Sequence, residues 1–333
     1  MKDQAGMQPE EAMKKTMQEV SVIIPNFNGK HYLEICLEAL ASQTVGWFSV
    51  YVVDNGSTDG SVEWLKAKHP LVQVIALEKN FGFCRAVNEG IKASKTPYVI
   101  LLNNDTKVHP DFIEEMIAGI RRHKNCFSGQ AKMIQYHDRS RIDDAGNLYN
   151  ALGWAFARGK GVDVQKYSRE EKIFTCCAGA AIYRRKLLLE MGGFDEEHFA
   201  YLEDMDVGYR ARIWGYENWY FPNAVVYHVG SGTTGSQYNQ FKTRYSSRNN
   251  VYLVYKNMPF GQIVLNFPFL AVGFTVKFLF FLRKGLGREY LAGIKNGLQL
   301  CRKEKKVKFE SKNIINYLKI QQELWENIGK RLK

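Results

Sequence analysis

From Val20 onward the sequence repeats one pattern: an extended apolar stretch, a polar turn, then a helical stretch. Extended segments are expected at 20–24, 49–53, 72–76 and 98–102, with helices at 32–42, 61–68 and 84–93 between them. This alternation fits few architectures, because parallel strands cannot be joined by tight turns and need helical crossovers that cover the sheet. The stretch Tyr98-Val-Ile-Leu-Leu102 has no charged residue and is bounded by polar turn formers, as expected of a central strand buried on both faces. The chain should therefore be an α/β protein built on a mostly parallel, Rossmann-like sheet flanked by helices.

Ligands of such open sheets bind beyond the carboxyl ends of the strands. Directly after 98–102 comes Asn103-Asn104-Asp105, which puts two amides and a carboxylate where a metal-bound diphosphate can sit and suggests a nucleotide-sugar site. The second strand ends in Asp54-Asn55-Gly56-Ser57-Thr58-Asp59. Asp54, at the strand tip, is placed to accept a hydrogen bond from a base imide, which is the favoured reading over its bracing the turn, whereas Ser57 and Asp59 read equally well as helix caps. The first turn, Pro25-Asn26-Phe27-Asn28-Gly29, is made of turn formers and lacks GxGxxG, which argues against a nicotinamide dehydrogenase.

The net charge of +12 resembles a nucleic-acid signal until it is located. Residues 277–333 hold 15 Lys/Arg and 5 Asp/Glu, which leaves the first 276 residues at +2. A nearly neutral body with a basic tail points to an anionic surface met by the tail, and away from a DNA-binding body. The six cysteines show no CxxC spacing and are expected to be reduced and mostly buried, as in a cytosolic protein. Residues 1–19 lack the apolar core of a signal peptide and read as an extension.

Between 128 and 175 the pattern loosens into glycine-punctuated β-like pieces, for which mixed sheet and long loops are expected. An apolar run at 176–183 follows, then a basic helix start at Arg184-Lys186 and a helix from Glu203 to Trp214. The acids Glu203, Asp204 and Asp206 at that helix start could simply complement its dipole.

In order along the chain, Ser21-Val-Ile-Ile-Pro-Asn-Phe-Asn28, Val53-Asp-Asn-Gly-Ser-Thr-Asp59, Asn80-Phe-Gly-Phe83, Asn88-Glu-Gly90, Leu101-Leu-Asn-Asn-Asp105, Gly192-Gly-Phe-Asp195 and Glu203-Asp-Met-Asp206, then His228, resemble the family 2 glycosyltransferases. Asn-Asn-Asp, in place of the family's more usual Asp-x-Asp, is similar to bacterial rhamnosyltransferases. The resemblance implies a GT-A fold, a nucleotide-diphosphate sugar donor, a divalent metal (Mg²⁺ or Mn²⁺) and inversion at the anomeric carbon. It implies that Pro25, Asn26, Phe27, Asn28, Asp54, Asn80, Arg85, Asn103 and Asn104 lie at the nucleotide and that Asp105 and His228 hold the metal. Asp204 is implied as the base, with Glu203 its partner in acceptor binding, while Asp206 and Arg210 brace the helix. The stretch Arg244-Tyr-Ser-Ser-Arg248-Asn249 resembles the same subgroup, and Arg248 is read as a phosphate clamp or a solvated ion pair. Trp154 is read as an acceptor-stacking side chain or a buried one. Gly230-Ser-Gly-Thr-Thr-Gly235 reads as a lid over the diphosphate.

Ile263 to Leu282 is almost continuously apolar and is followed by Arg283-Lys284. Its length just reaches a bilayer span, but Asn266, Pro268, Gly273 and Lys277 interrupt it and favour an interfacial helix whose lysine snorkels. A true span and a subunit-facing or core helix remain the other readings. The expected organisation is an extension at 1–19, the GT-A domain at 20–255, and a C-terminal helical, membrane-associating basic region at 256–333. The expected activity is an inverting transfer of L-rhamnose from dTDP-rhamnose to a lipid-linked or cell-surface glycan, at the cytoplasmic face of the membrane. A UDP-sugar donor (galactofuranose, N-acetylglucosamine or glucose) is the alternative on the same fold, and a catalytically silent nucleotide-binding protein is the reading from another class.

Overall fold

The computed structural model describes residues 18–230, 238–304 and 306–332. Strand β1 (Val20–Asn26), helix α1 (Lys30–Ala41), β2 (Phe48–Asp54), α2 (Ser61–Lys68), β3 (Gln73–Ala76), α3 (Phe83–Ala93) and β4 (Tyr98–Leu102) follow one another as the hydrophobic pattern requires. β1 lies between β2 and β4 and is parallel to both, Ile24 opposing Val52 and Ile23 opposing Leu101. The chain continues through β5 (Thr106–Val108), α4 (Phe112–Arg122), β6 (Cys126–Gln135), β7 (Ile142–Asp144), β8 (Asn147–Tyr149), β9 (Ala155–Ala157), β10 (Glu171–Ile173), β11 (Ala180–Arg184), α5 (Arg185–Glu190), α6 (Glu203–Ile213) and β12 (Glu217–His228).

The main sheet has the order β10-β12-β6-β11-β4-β1-β2-β3, with β5 added to β12 and β7 to β6, while β8 and β9 form a separate hairpin. It is parallel from β4 to β3 and again between β6 and β12; β11 is the antiparallel join between β4 and β6. Two expectations shift. The apolar run at 176–183 becomes a strand only from Ala180, because Cys177 to Gly179 form a turn. β12 starts seven residues earlier than Ala224, with a register break between Phe221 and Val225 that accommodates Pro222, a residue that reads as a strand breaker.

Alternation along β1 explains the two-sided core: Val22 and Ile24 pack under α1 and α4 through Leu33, Leu37, Ile113 and Met116, while Ile23 packs on the other face with Val87, Leu188 and Val207. The cysteines are free, with Cys36, Cys84, Cys126 and Cys176 buried.

The C-terminal helices α7 (Gln240–Asn257), α8 (Phe260–Arg283) and α10 (Ile314–Leu332) close a third core around Tyr149, Met205, Tyr209, Leu253, Leu270, Ile320 and Leu324, and α9 (Gly287–Cys301) packs along α7 through Gly293 and Gly297. Helix α8 inverts the pattern of a core helix. Its buried stripe is Gln262, Asn266, Leu270 and Gly273, whereas Phe260, Val264, Phe267 and Val272 are more than half exposed. Asn266, expected as a burden on insertion, instead exchanges hydrogen bonds with Gln321 of α10 at 2.7 and 2.9 Å. Lys277 does not snorkel: its Nζ donates to the Gly153 carbonyl at 3.2 Å. At Gly273 a Cβ would stand 2.0 Å from the Leu152 carbonyl oxygen, so only glycine lets α8 clasp the 150–154 turn.

Candidate active site

Parallel pairing brings the carboxyl ends of β1, β2 and β4 side by side, and their polar residues interlock there. Asn104 Nδ2 donates to Asn26 Oδ1 at 2.8 Å, Asn26 Nδ2 donates to Asp54 Oδ2 at 2.8 Å, and the Ser57 amide donates to Asp54 Oδ1 at 2.8 Å. Gly29 makes room for this chain, since a Cβ there would fall 2.2 Å from Asn104 Nδ2. Asp54 is 1% exposed, with both oxygens engaged by Asn26 and Ser57, and does not line the crevice. Asn28, at a φ of 50°, likewise ties the two turns together, accepting from the Thr58 amide at 2.8 Å. Asn55 donates to Asn80 Oδ1 at 3.0 Å and accepts from the Phe81 amide at 2.9 Å, which fixes the loop before α3.

Next to this wall, β12 delivers His228 to the triplet after β4. His228 Nε2 lies 3.3 Å from Asp105 Oδ1 and Nδ1 lies 2.7 Å from Asp143 Oδ2, while the Asn103 amide is 3.5 Å from Nε2. Burial alone would push the imidazole pKa down, but the two carboxylates overcome it and raise it to about 9. With one nitrogen pinned by Asp143, the other is aimed at the face of Asp105. Once a divalent cation displaces the proton between Nε2 and Asp105, the carboxylate and the oriented neutral imidazole make a donor set that could hold Mg²⁺ or Mn²⁺.

The opposite wall is the start of α6. Phe199, Tyr201 and Leu202 have positive φ values of 59°, 73° and 65°, a conformation that side chains with a Cβ rarely adopt and that clusters at functional sites. The loop is held by Asn249 of α7, whose Nδ2 lies 2.8, 2.9 and 2.7 Å from the carbonyl oxygens of His198, Ala200 and Tyr201. Glu203 and Asp204 follow directly. Burial, together with the Asp204 charge, pushes the Glu203 carboxyl up. Burial and the nearby Asp144 push Asp204 up, against the hydrogen bond from the Met205 amide at 2.7 Å.

One crevice of about 430 Å³ is lined by Pro25, Asn26, Phe27, Asn80, Asn103, Asn104, Asp105, Glu203, Asp204 and His228, so ten residues singled out in the sequence share it. Others do not. Arg85 is exposed and paired with Glu89 and Glu196, both at 3.1 Å. Arg248 donates to the Glu197 carbonyl and stacks on Tyr245, so it clamps a loop and not a phosphate in this arrangement. Trp154 donates through Nε1 to the Gly273 carbonyl at 3.0 Å and packs toward α8, away from the crevice. Ser231 to Gly235, the core of the lid reading, lie outside the described residues, as does the extension up to residue 17.

Sequence reasoning missed the aromatic side chains Phe199, Tyr201 and Phe241 at the crevice, as well as Asp143 behind His228 and Asn147, which donates to Asp204 at 3.2 Å. Asp206 and Arg210 do brace α6, at 2.8 Å. Asp195, His198 and Asp206 also bring potential ligand atoms within 4.8 Å of one another. Lys256 Nζ fills that position, 2.5 Å from Asp195 and 3.0 Å from Asp206, so this cluster is a buried ion-pair network.

Residues 21–192 match the family described as "Glycosyl transferase family 2", and the chain belongs to that family. It is a glycosyltransferase with a GT-A fold. It is similar to the N-acetylglucosaminyl-diphospho-decaprenol L-rhamnosyltransferase of Mycobacterium tuberculosis, 26% identical over 237 residues that cover 64% of this chain and 77% of the relative. Among solved structures, a mannosyltransferase from Pyrobaculum calidifontis in complex with GDP-Man and Mn²⁺ superposes with a TM-score of 0.54 at 14% identity, covering 85% of this chain and 87% of that one. GalNAc-T7 with UDP, GalNAc and Mn²⁺ gives 0.58 at 16% identity over 72% of this chain, which spans 48% of that longer protein.

Proposed function

We propose that the crevice transfers L-rhamnose from dTDP-rhamnose, with inversion, to a lipid-linked or cell-surface glycan in polysaccharide biosynthesis at the inner face of the cell membrane. The observation that carries this reading is the convergence of Asp105, His228 and Asp204 on one crevice beside the interlocked amides at the strand ends. The donor and acceptor follow the M. tuberculosis relative, whose name gives L-rhamnose as the sugar and a decaprenol-diphosphate-linked N-acetylglucosamine as the partner. Residues 20–255 carry the transfer, and 256–333 meet the membrane through the exposed apolar side of α8.

The base and ribose lie against Pro25, Asn26, Phe27, Asn80 and Asn104, with Asp54 acting through Asn26. Asp105 and His228 would hold the divalent metal, which supplies charge neutralisation on the departing diphosphate. Asp204 takes the proton of the acceptor hydroxyl, whose oxygen bonds to the anomeric carbon from the face opposite the breaking bond to the diphosphate. A base of ordinary aspartate acidity would be a weak proton acceptor, and the burial that raises Asp204 moves it toward the working pH. Glu203 orients the acceptor beside it.

Sugar transfer by purified protein with a panel of dTDP- and UDP-sugars tests the donor, with dTDP-rhamnose expected to be the efficient one. Asp204→Asn should lower turnover by about 10² to 10⁴ with dTDP affinity kept. Unchanged turnover in that variant would remove the base assignment.

A further inference from the structure

The exposed apolar side of α8 continues at its first turns into a groove of about 1100 Å³. Phe260 and Leu265 form one wall, and Phe309, Ile314 and Leu318 form the other. These five side chains are 78, 50, 49, 50 and 60% exposed, a large apolar surface for a soluble protein to leave in water. The rim is basic. Lys306 and Lys308 both line the groove, Lys306 Nζ sitting 5.0 Å from the centre of the Tyr255 ring. Glu304 lines the groove as well and Lys312 is paired with Glu310 at 2.6 Å, so the excess of positive charge comes from Lys306 and Lys308, with Arg302 and Lys303 close by in sequence.

We propose that this groove takes an acyl chain of an anionic membrane lipid, with Lys306 and Lys308 against the lipid phosphate. An apolar trough with cations along its edge matches an amphiphile of the same layout: a chain to displace water from the walls and an acidic headgroup to meet the lysines. The groove opens onto the exposed side of α8, so one surface offers both the general apolar contact and the specific seat. A second copy of this chain fits less well, because its own lysines would meet these across the contact. The inference rests on the membrane location proposed above, yet the two can fail separately.

The test uses the full chain and two probes: diheptanoyl phosphatidylglycerol below its micelle concentration, and vesicles of phosphatidylcholine with or without phosphatidylglycerol. The soluble phosphatidylglycerol should bind by calorimetry, and more tightly than its phosphatidylcholine counterpart. Phe309→Gln with Leu318→Gln, at positions 49 and 60% exposed, should weaken that binding about tenfold or more. Lys306→Ser with Lys308→Ser should remove roughly tenfold and most of the headgroup preference. Val272→Gln, on α8 outside the groove, should reduce vesicle flotation and leave soluble-lipid binding unchanged. The groove assignment is overturned if the Phe309/Leu318 variant binds soluble lipid like the parent, or if light scattering finds a dimer that this variant splits. Failure to float with any vesicle, while soluble lipid still binds, would sink the membrane location and leave the groove standing.

Discussion

Asn147 reaches out of the β8–β9 hairpin to Asp204, its Nδ2 donating to Oδ2 at 3.2 Å. The same hairpin carries the 150–154 turn that α8 clasps through the Trp154 bond to Gly273 and the Lys277 bond to Gly153. The proposed catalytic base is thus oriented by an element that also touches the helix proposed to face the membrane. Hydrogen bonds to a carboxylate favour its charged form. Asn147→Ala should therefore raise the Asp204 pKa, shift the acid limb of the kcat profile to higher pH, and lower kcat at neutral pH by about tenfold. Donor KM should stay unchanged. A profile that overlays the parent would show that Asn147 does not act through Asp204.

Glu203 bears on stability as well as on acceptor binding. Glu203 is 8% exposed, its Oε2 has no hydrogen-bond partner among the described residues, and burial with the Asp204 charge raises its pKa above the ordinary value of 4.5. A raised acid binds more protons folded than unfolded, so stability falls as pH rises from the unfolded pKa through the folded one. Glu203→Gln removes this penalty. The variant and parent should melt together near pH 4, and by pH 8 the variant should be the more stable by roughly 2 kcal/mol. Calorimetry across this range checks it, and a constant offset at every pH would contradict it.

Much of the fold was legible because each strand of the β4-β1-β2-β3 half carries its own apolar run, and each run ends in polar residues that mark the site. Asn103, Asn104 and Asp105 were visible for that reason. Asp143 and Asn147 were not: both lie in the glycine-rich stretch, where three-residue strands leave no periodicity to read. The surroundings of Trp154 and Lys277 could not be read from pattern, since the bonds that turn them toward each other's segments join residues more than 100 apart in sequence. For α8, composition showed the apolar length but not which side is buried, and the buried side proved to be the polar one.

Asp143 fixes the ring of His228 from behind, and an acid in that position typically sets which nitrogen faces a metal and how basic it is. Asp143→Asn should raise the Mn²⁺ concentration for half-saturation by about 10- to 100-fold. Spin-resonance titration of Mn²⁺ without substrate provides a readout independent of turnover. Asp144→Asn is the control, because Asp144 points to Gln130 and the Gly146 amide, at 2.9 and 2.8 Å. Equal Mn²⁺ affinity in the Asp143 variant and the parent would refute the positioning role.

Arg248 and Asn249 are neighbours in one motif but divide its work. Asn249 supplies the donor for three carbonyls of a loop that holds Phe199, Tyr201 and Leu202 at positive φ, whereas Arg248 meets the rear of that loop at Glu197 and donates through Nε to Asn249 Oδ1 at 2.9 Å. Asn249→Ala leaves buried carbonyls unpaired and releases a strained backbone, so a loss of about 2 to 3 kcal/mol is expected. That corresponds to a melting temperature lower by roughly 5 to 10 °C. Because Glu203 and Asp204 follow the loop directly, kcat should fall more than dTDP affinity. Arg248→Ala should leave dTDP affinity within about twofold, as expected for a side chain that does not line the crevice. A tenfold loss of dTDP affinity in that variant would restore Arg248 as a phosphate ligand and require the loop to rearrange when the donor binds.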